Sequence, residues 1–587
     1  MKKTFPLPGF CVVMTLMMSG CSMSLRPSDS VDIAFDAGKR YLLIPIEDRA
    51  PELEMYIVQN GATVTPRMNI RLASSEISYW VPVSLDRFTD GDIALRIAGL
   101  DKSNGYLDSI ETSDDFYFEK GEKFRPHYHF APKYGWMNDP NGMVYHNGEY
   151  HLFYQHNPYG SVWGNMHWGH AVSKDLKKWE HLPVAIAPDS LGTIFSGSAV
   201  IDRDNSAGFG ENALVAIYTS AGERQQQSIA YSRDGGRTFT KYAANPVLAN
   251  DSLPDFRDPK VFWHDATSRW VMTLATGQTV SFYSSPDLKQ WDKLSDFGEG
   301  IGAHGGVWEC PDLFSLNWNG DTKWVLIVNI NPGGPNGGSA AQYFIGDFDG
   351  CKFTPDPLPY PLWLDYGRDN YAGVTWSGAP GDRRIFIGWM SNWEYANAVP
   401  TVHFKSANTL PRELKLVHNG RHLIVANPPV EELDSLRGET TPFPGMTVDG
   451  SRTIEKLPAG NNGAYEIEMT IGRGRSWRFG FRLSNRANEE LAFEFDLESG
   501  TLNIDRSKSG NTGFSERFSA ERIVAPLGER STYRIRLFID KASSELFLND
   551  GELVSTNIVF PSEPYNVLTF ESDDKIFIEN LFVHSIK

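Results

Sequence analysis

The sequence predicts an all-β protein: a five-bladed β-propeller followed by a C-terminal β-sandwich, with a small N-terminal β domain ahead of both. Three observations carry that prediction. A pattern of turn residues leading into an apolar hairpin recurs five times, and a second turn pattern is interleaved with it in register. The C-terminal part of the chain then breaks into short runs of alternating apolar and polar residues.

The first copy is "YGWMNDPNGMVYHNGEYHLFYQHNP" from Tyr134. It returns as "FSGSAVIDRDNSAGFGENALVAIYTSAG" from Phe195, "DFRDPKVFWHDATSRWVMTLATG" from Asp255, "WECPDLFSLNWNGDTKWVLIVNINPGG" from Trp308 and "NYAGVTWSGAPGDRRIFIGWMSNW" from Asn370. Matched strand positions are Met143, Ala199, Val261, Leu313 and Val374, stepping by 56, 62, 52 and 61 residues. Between them lie "SKDLKKW" from Ser173, "SRDGGRTF" from Ser232, "SPDLKQW" from Ser285 and "GDFDGCKF" from Gly346, each a tight turn closed by an aromatic. A repeat of this length with room for about four short strands is a propeller blade. The units place the propeller at residues 121–426.

Residues 427–587 keep a period of two in "AYEIEMTIG", "SWRFGFRLS", "LAFEFDLES" and "STYRIRLFID", the pattern of a sandwich that covers a propeller flank or binds sugar. Residues 21–120 hold "RYLLIPI", "LEMYIVQ", "ISYWVPVSL" and "DIALRIAG", a small β domain that serves as a spacer or as a polysaccharide-binding module.

The chain of 587 residues carries a formal net charge of −18 and no basic stripe, which excludes nucleic acid as a partner and disfavours acidic polysaccharides. A neutral polymer, bound by aromatic stacking and hydrogen bonds, fits better. Lys2 and Lys3 precede a short apolar run ending at Met18, then Ser19, Gly20 and Cys21. This reads as an export signal over residues 1–20. Small residues before a cysteine resemble a bacterial lipoprotein cleavage site, with Cys21 the lipidated first residue of a protein held at the outer membrane, on the cell surface or the periplasmic face. Apart from the leader's Cys11 and Cys21, only Cys310 and Cys351 remain; they form no disulfide framework or zinc cluster and read as a pair of buried thiols, with a single bridge between them the alternative.

In a propeller the starts of the innermost strands meet at one mouth. Asp139, Asp258 and Glu309 hold such positions in three units, and three carboxylates in one pocket are costly unless they work together. Glycosidic cleavage needs one carboxylate as nucleophile and one carboxyl as acid. Asp139, flanked by Asn138 and Asn141, is expected to be held ionised by hydrogen bonds. Asp258 follows Arg257, whose charge is expected to keep it ionised. Glu309 lies between Trp308 and Cys310, apolar neighbours that would favour its protonated form. Taken singly, Arg257 and Asp258 read equally as an ion pair between blades, and each Trp as inter-blade core.

"WMNDPNG", "FRDPK" and "ECPD", in this order, resemble glycoside hydrolase family 32, the retaining β-fructosidases that include levanases, inulinases and invertases; the resemblance runs from about Phe124 to the C-terminus. It implies Asp139 as nucleophile, Asp258 as transition-state stabiliser and Glu309 as acid/base. It also implies sugar contacts at Asn138, Gln155, Trp163, Ser198, Arg257, Asp369 and Trp389, with Asn370 standing where the family often has an aromatic, and no metal or cofactor. The implied substrate is a fructan, levan or inulin, trimmed from its fructose end, and sucrose. "GWMSNWEYANAVPT" from Gly388 resembles the exo-acting members. Endo-acting levan cleavage and a non-catalytic glycan-binding propeller are the alternatives.

Overall fold

The computed structural model describes residues 30–35, 38–88, 90–100, 103–118, 120–457, 463–519 and 522–587. The leader, Cys11 and the lipidation site at Cys21 lie outside the described residues.

Five antiparallel sheets surround a channel, led by the inner strands Gly135–His146, Thr193–Asp202, Arg257–His264, Val307–Trp318 and Tyr371–Thr375. All five matched positions lie on these strands and are buried. Each inner strand touches the next around the ring, and the fifth touches the first. The ring closes where Ser377 N donates to Met143 O and Tyr145 N donates to Ser377 O, both at 2.9 Å. Phe404–Lys405 then adds a parallel strand to Gly135–Trp136 of the first blade. Apolar clusters fill the spaces between blades, as Ile217 and Val261 do between the second and third.

The interleaved turns join the third and fourth strands of the first four blades. One aspartate builds each of them. Asp175, Asp234, Asp287 and Asp349 use Oδ1 to accept two backbone N–H groups from the residues that follow, at 2.7–3.0 Å. Cys351 sits in the last of these turns and is exposed, so the expectation of two buried thiols holds for Cys310 alone, and the two are not bridged.

In the C-terminal part the four predicted runs form Tyr465–Gly472, Arg478–Ser484, Glu490–Asp496 and Thr532–Asp540. Alternation sends Phe479, Phe481, Leu491, Phe493, Tyr533 and Ile535 into one core. The long strand Val567–Ile586 pairs with four others and ties the layers together. The N-terminal domain also follows its predicted runs: Tyr41–Ile46 pairs with Tyr79–Ser84, and Leu53–Gln59 with Ile93–Ala98, enclosing Leu42, Ile44, Met55, Ile57 and Leu95.

Candidate active site

All five inner strands are broken at the same level. Opposite a partner residue that it should match one for one, each carries an extra residue: at 138–139, 196, 258–259, 310–311 and 372–373. Such bulges bend a strand and re-aim its side chains. Asp258, Cys310 and Ala372 adopt left-handed φ values of 65°, 43° and 52° there, backbone that costs energy outside glycine and persists only when its surroundings enforce it. Asp139, Asp258 and Glu309 lie in or beside these bulges.

Cys310 binds the three together. Its N–H donates to Asp258 Oδ2 at 2.9 Å, its thiol lies 3.5 Å from Asp139 Oδ2, and it follows Glu309 directly. Asp139 also accepts Asn138 Nδ2 at 2.9 Å and Ser196 Oγ at 2.5 Å. Glu309 Oε1 accepts Arg257 Nε and Nη2 at 3.2 and 3.1 Å, while Tyr371 donates its hydroxyl to Oε2. Arg257 is shared further, with Asp255 at 2.5 Å, Gln225 at 3.2 Å and Asp258 at 3.9 Å.

One guanidinium among so many carboxylates leaves the cluster short of positive charge. Burial, and then Glu309, raise the Asp139 pKa against the hydrogen bonds from Ser196 and Asn138. Burial raises Asp258 to about 7, with Glu309 and Asp139 adding to it and Arg257 opposing. Local partners alone are expected to favour the ionised forms, but desolvation and mutual repulsion outweigh them and raise both pKa values. The apolar setting expected for Glu309 is absent as well. Trp308 is fully buried against Phe344 and His304, and the Glu309 carboxyl meets Arg257 and Tyr371 instead, since neighbours in a strand point to opposite faces. Of the two catalytic candidates on Arg257, Glu309 is the more open, with 22% of its side chain exposed against 4% for Asp258.

The predicted sugar contacts divide. Asn138 holds Trp136 Nε1 at 2.7 Å and Asp139, and Gln155 is buried with Nε2 unpaired among the described residues. Trp163 is 45% exposed and set edge-on against Phe195, next to Ser196. Ser198 does not face the cluster: it donates to Pro259 O at 2.8 Å and accepts Val261 N at 3.0 Å, joining two blades. The residue on Asp139 is Ser196, because the bulge at 196 breaks the alternation that would put both serines on one face. Asp369 is fully buried with both oxygens engaged, one by Tyr395 at 2.6 Å and one by Arg506 at 2.5 Å and Ile558 N at 2.9 Å. It belongs to the seam with the sandwich, not to a sugar pocket. Trp389 is wholly buried and packs 4.8 Å from Trp393, which retains exposed surface and stacks on Trp136.

Ser196 and Tyr371 carried a legible signal that sequence reasoning passed over. Both stand three residues ahead of the matched positions Ala199 and Val374, the offset that places Asp258 ahead of Val261. Asp139 and Glu309 stand four residues ahead of Met143 and Leu313, so taking the third and fourth positions ahead in every repeat, not carboxylates alone, would have included all five.

The model for the Glycosyl hydrolases family 32 N-terminal domain matches residues 129–428, and that for the family's C-terminal domain matches 432–585. Residues 29–128 match a Domain of unknown function (DUF4980). The chain is 48% identical over 494 residues to a levanase of Bacillus subtilis (strain 168), spanning 82% of this chain and 72% of that protein. It is 39% identical over 497 residues to an extracellular exo-inulinase of Aspergillus niger, spanning 76% of this chain and 91% of that protein. In three dimensions it resembles the exo-inulinase of Aspergillus awamori, with a TM-score of 0.73 and 35% identity over 80% of this chain and 99% of that one. A fructofuranosidase of Schwanniomyces occidentalis complexed with fructose gives 0.69 and 32% over 79% of this chain and 100% of that one. A propeller whose five inner strands bulge to gather three carboxylates, with a sandwich behind it, accords with these matches: the chain belongs to glycoside hydrolase family 32.

Proposed function

We propose that the chain is a retaining hydrolase that releases terminal β-D-fructosyl units from fructans, levan or inulin, and from sucrose. The observation that carries this reading is the cluster of three carboxylates gathered at Cys310, two of them on one arginine, in a chain whose relatives are named levanase and exo-inulinase. Asp139 attacks the anomeric carbon as the bond to the leaving oxygen breaks, and Glu309 gives that oxygen a proton. Water then attacks the fructosyl-enzyme, loses its proton to Glu309 and frees Asp139. Asp258, bound through Cys310 N–H, faces the positive charge that develops on the ring. Asn138, Gln155, Arg257 and Trp163 hold hydroxyls and ring faces, and Trp393, which keeps exposed surface where Trp389 is buried, walls the pocket.

Time-resolved product analysis on levan, inulin and sucrose tests this. Free fructose as the sole early product supports the reading. A ladder of oligosaccharides from the first minutes favours endo-action, and binding without fructose release leaves a glycan-binding propeller.

The relatives' extracellular names and the leader together support an exported lipoprotein attached through Cys21. Fatty-acid labelling that survives Cys21→Ala would refute the anchor.

A further inference from the structure

We propose that the N-terminal domain is a specificity element of this site: it fixes the loop that carries Trp163, and with that loop forms a crevice for the fructosyl units beyond the scissile bond. This rests on the fructan-cleaving reading above. The loop leaves the first blade at Asn157, opposite Trp136 in the register, and returns at His167. Asn157 organises it from within, accepting Tyr159 N at 3.0 Å and donating to Val162 O at 2.9 Å.

The N-terminal domain holds it from outside at two points. Asn165 accepts Asn69 N at 2.7 Å and donates to Asn69 O at 2.8 Å, so its side chain pairs with that backbone as a neighbouring strand would. Tyr79 OH accepts Ser161 N at 2.8 Å and donates to Asp48 at 2.7 Å. Tyr159 packs against the N-terminal core. A surface loop with so few partners of its own takes its order from what it leans on.

Trp163 joins this crevice to the chemistry. It sits edge-on to Phe195, whose neighbour Ser196 holds Asp139. On its other side the crevice is walled by Glu52, Asn69, Arg71 and Tyr79 of the N-terminal domain. Glu52 is exposed, and Arg71 Nε has no partner among the described residues. An aromatic face beside a carboxylate, an amide and a guanidinium suits a neutral polyhydroxyl chain, which stacks and hydrogen-bonds but presents no charge.

The test compares kcat/KM on sucrose with that on fructan oligosaccharides of increasing length, for wild type, Glu52→Ala and Tyr79→Phe, with thermal unfolding as the check on folding. Both variants should keep sucrose kcat/KM within about twofold while KM for the longer chains rises about fivefold or more, the scale of losing one or two ligand contacts. An active wild type whose variants keep the wild-type ratio of long-chain to sucrose kcat/KM overturns the crevice alone. A wild type that releases fructose from nothing overturns the functional reading on which it rests.

Discussion

At the channel mouth Asp258 and Glu309 share the guanidinium of Arg257 beside Asp139, whereas at the seam between propeller and sandwich Asp365, Asp540 and Glu545 share Arg412 and His129. The seam is tightly paired: Arg412 meets Asp365 at 2.8 Å and Glu545 at 2.7 Å, and His129 meets Asp540 at 2.8 Å and Glu545 at 2.9 Å. There burial would raise the carboxyls, but Arg412 and His129 outweigh it and lower Asp540 and Glu545. At the mouth Asp139 and Asp258 move the other way. The difference is the supply of cations, and it teaches that burial alone does not decide whether an acidic cluster holds a fold together or stays poised for proton transfer.

Removing charge at the mouth should therefore abolish activity without loosening the protein. Asp258→Asn is expected to lower kcat/KM by about 10³-fold or more, with the melting temperature unchanged or raised. Asp139→Ala and Glu309→Ala should fall at least as far, and azide should restore turnover of a good-leaving-group substrate only in Glu309→Ala, where a small anion replaces water that lacks its base. Rescue of Asp139→Ala alone would reverse the two roles.

At the seam the outcome should invert. Glu545→Gln leaves Arg412 and His129 short of a partner and should cost about 3–5 kcal/mol in denaturant unfolding, with kcat/KM of the folded enzyme near wild type. Asp369→Asn, facing Arg506, should likewise lower stability while KM stays within about twofold. A rise in KM without loss of stability would return Asp369 to the sugar site.

Stability against pH separates the two clusters by window. Burial pushes the His129 pKa down, yet Asp540 and Glu545 lift it from 6.5 to about 9. A raised pKa means the folded state holds the proton more tightly, so this contribution is complete below 6.5 and is lost as pH climbs through about 9. It amounts to about 3 kcal/mol at most. Asp258, raised from 3.8 to about 7, has the same sign in a lower window, and stability falls as pH passes from 3.8 to about 7. His129→Gln should flatten the upper step and Asp258→Asn the lower; a step that persists in its own variant belongs to other groups.

The smallest effect concerns support of Asp139. Ser196→Ala removes one hydrogen bond to its carboxylate and should lower kcat/KM about tenfold, with the acidic limb of the pH profile moving upward as the ionised form loses a donor. An unmoved limb would leave Ser196 a structural residue.

Much of the architecture was legible because it repeats. Five turn-and-hairpin units, with four aspartate turns between them, mark the blades through local chemistry that each copy carries by itself. Period-two alternation marks the sandwich and the N-terminal strands in the same way. Asp139, Asp258 and Glu309 were legible as residues at equivalent places in three copies.

Their protonation and their company were not. Strand alternation says that Ser196 and Ser198 share a face, and only the paired strand reveals the extra residue that separates them. Motif proximity put Asp369 and Trp389 at the sugar, whereas packing against Arg506 and Trp393 buries both. The amino-acid sequence by itself determined what is local: strand periods, turns, and the three carboxylates that lead their inner strands. The tertiary structure decided what is collective, namely how many cations each carboxylate shares and how far water is excluded, because both depend on residues hundreds of positions apart that meet only when the ring closes.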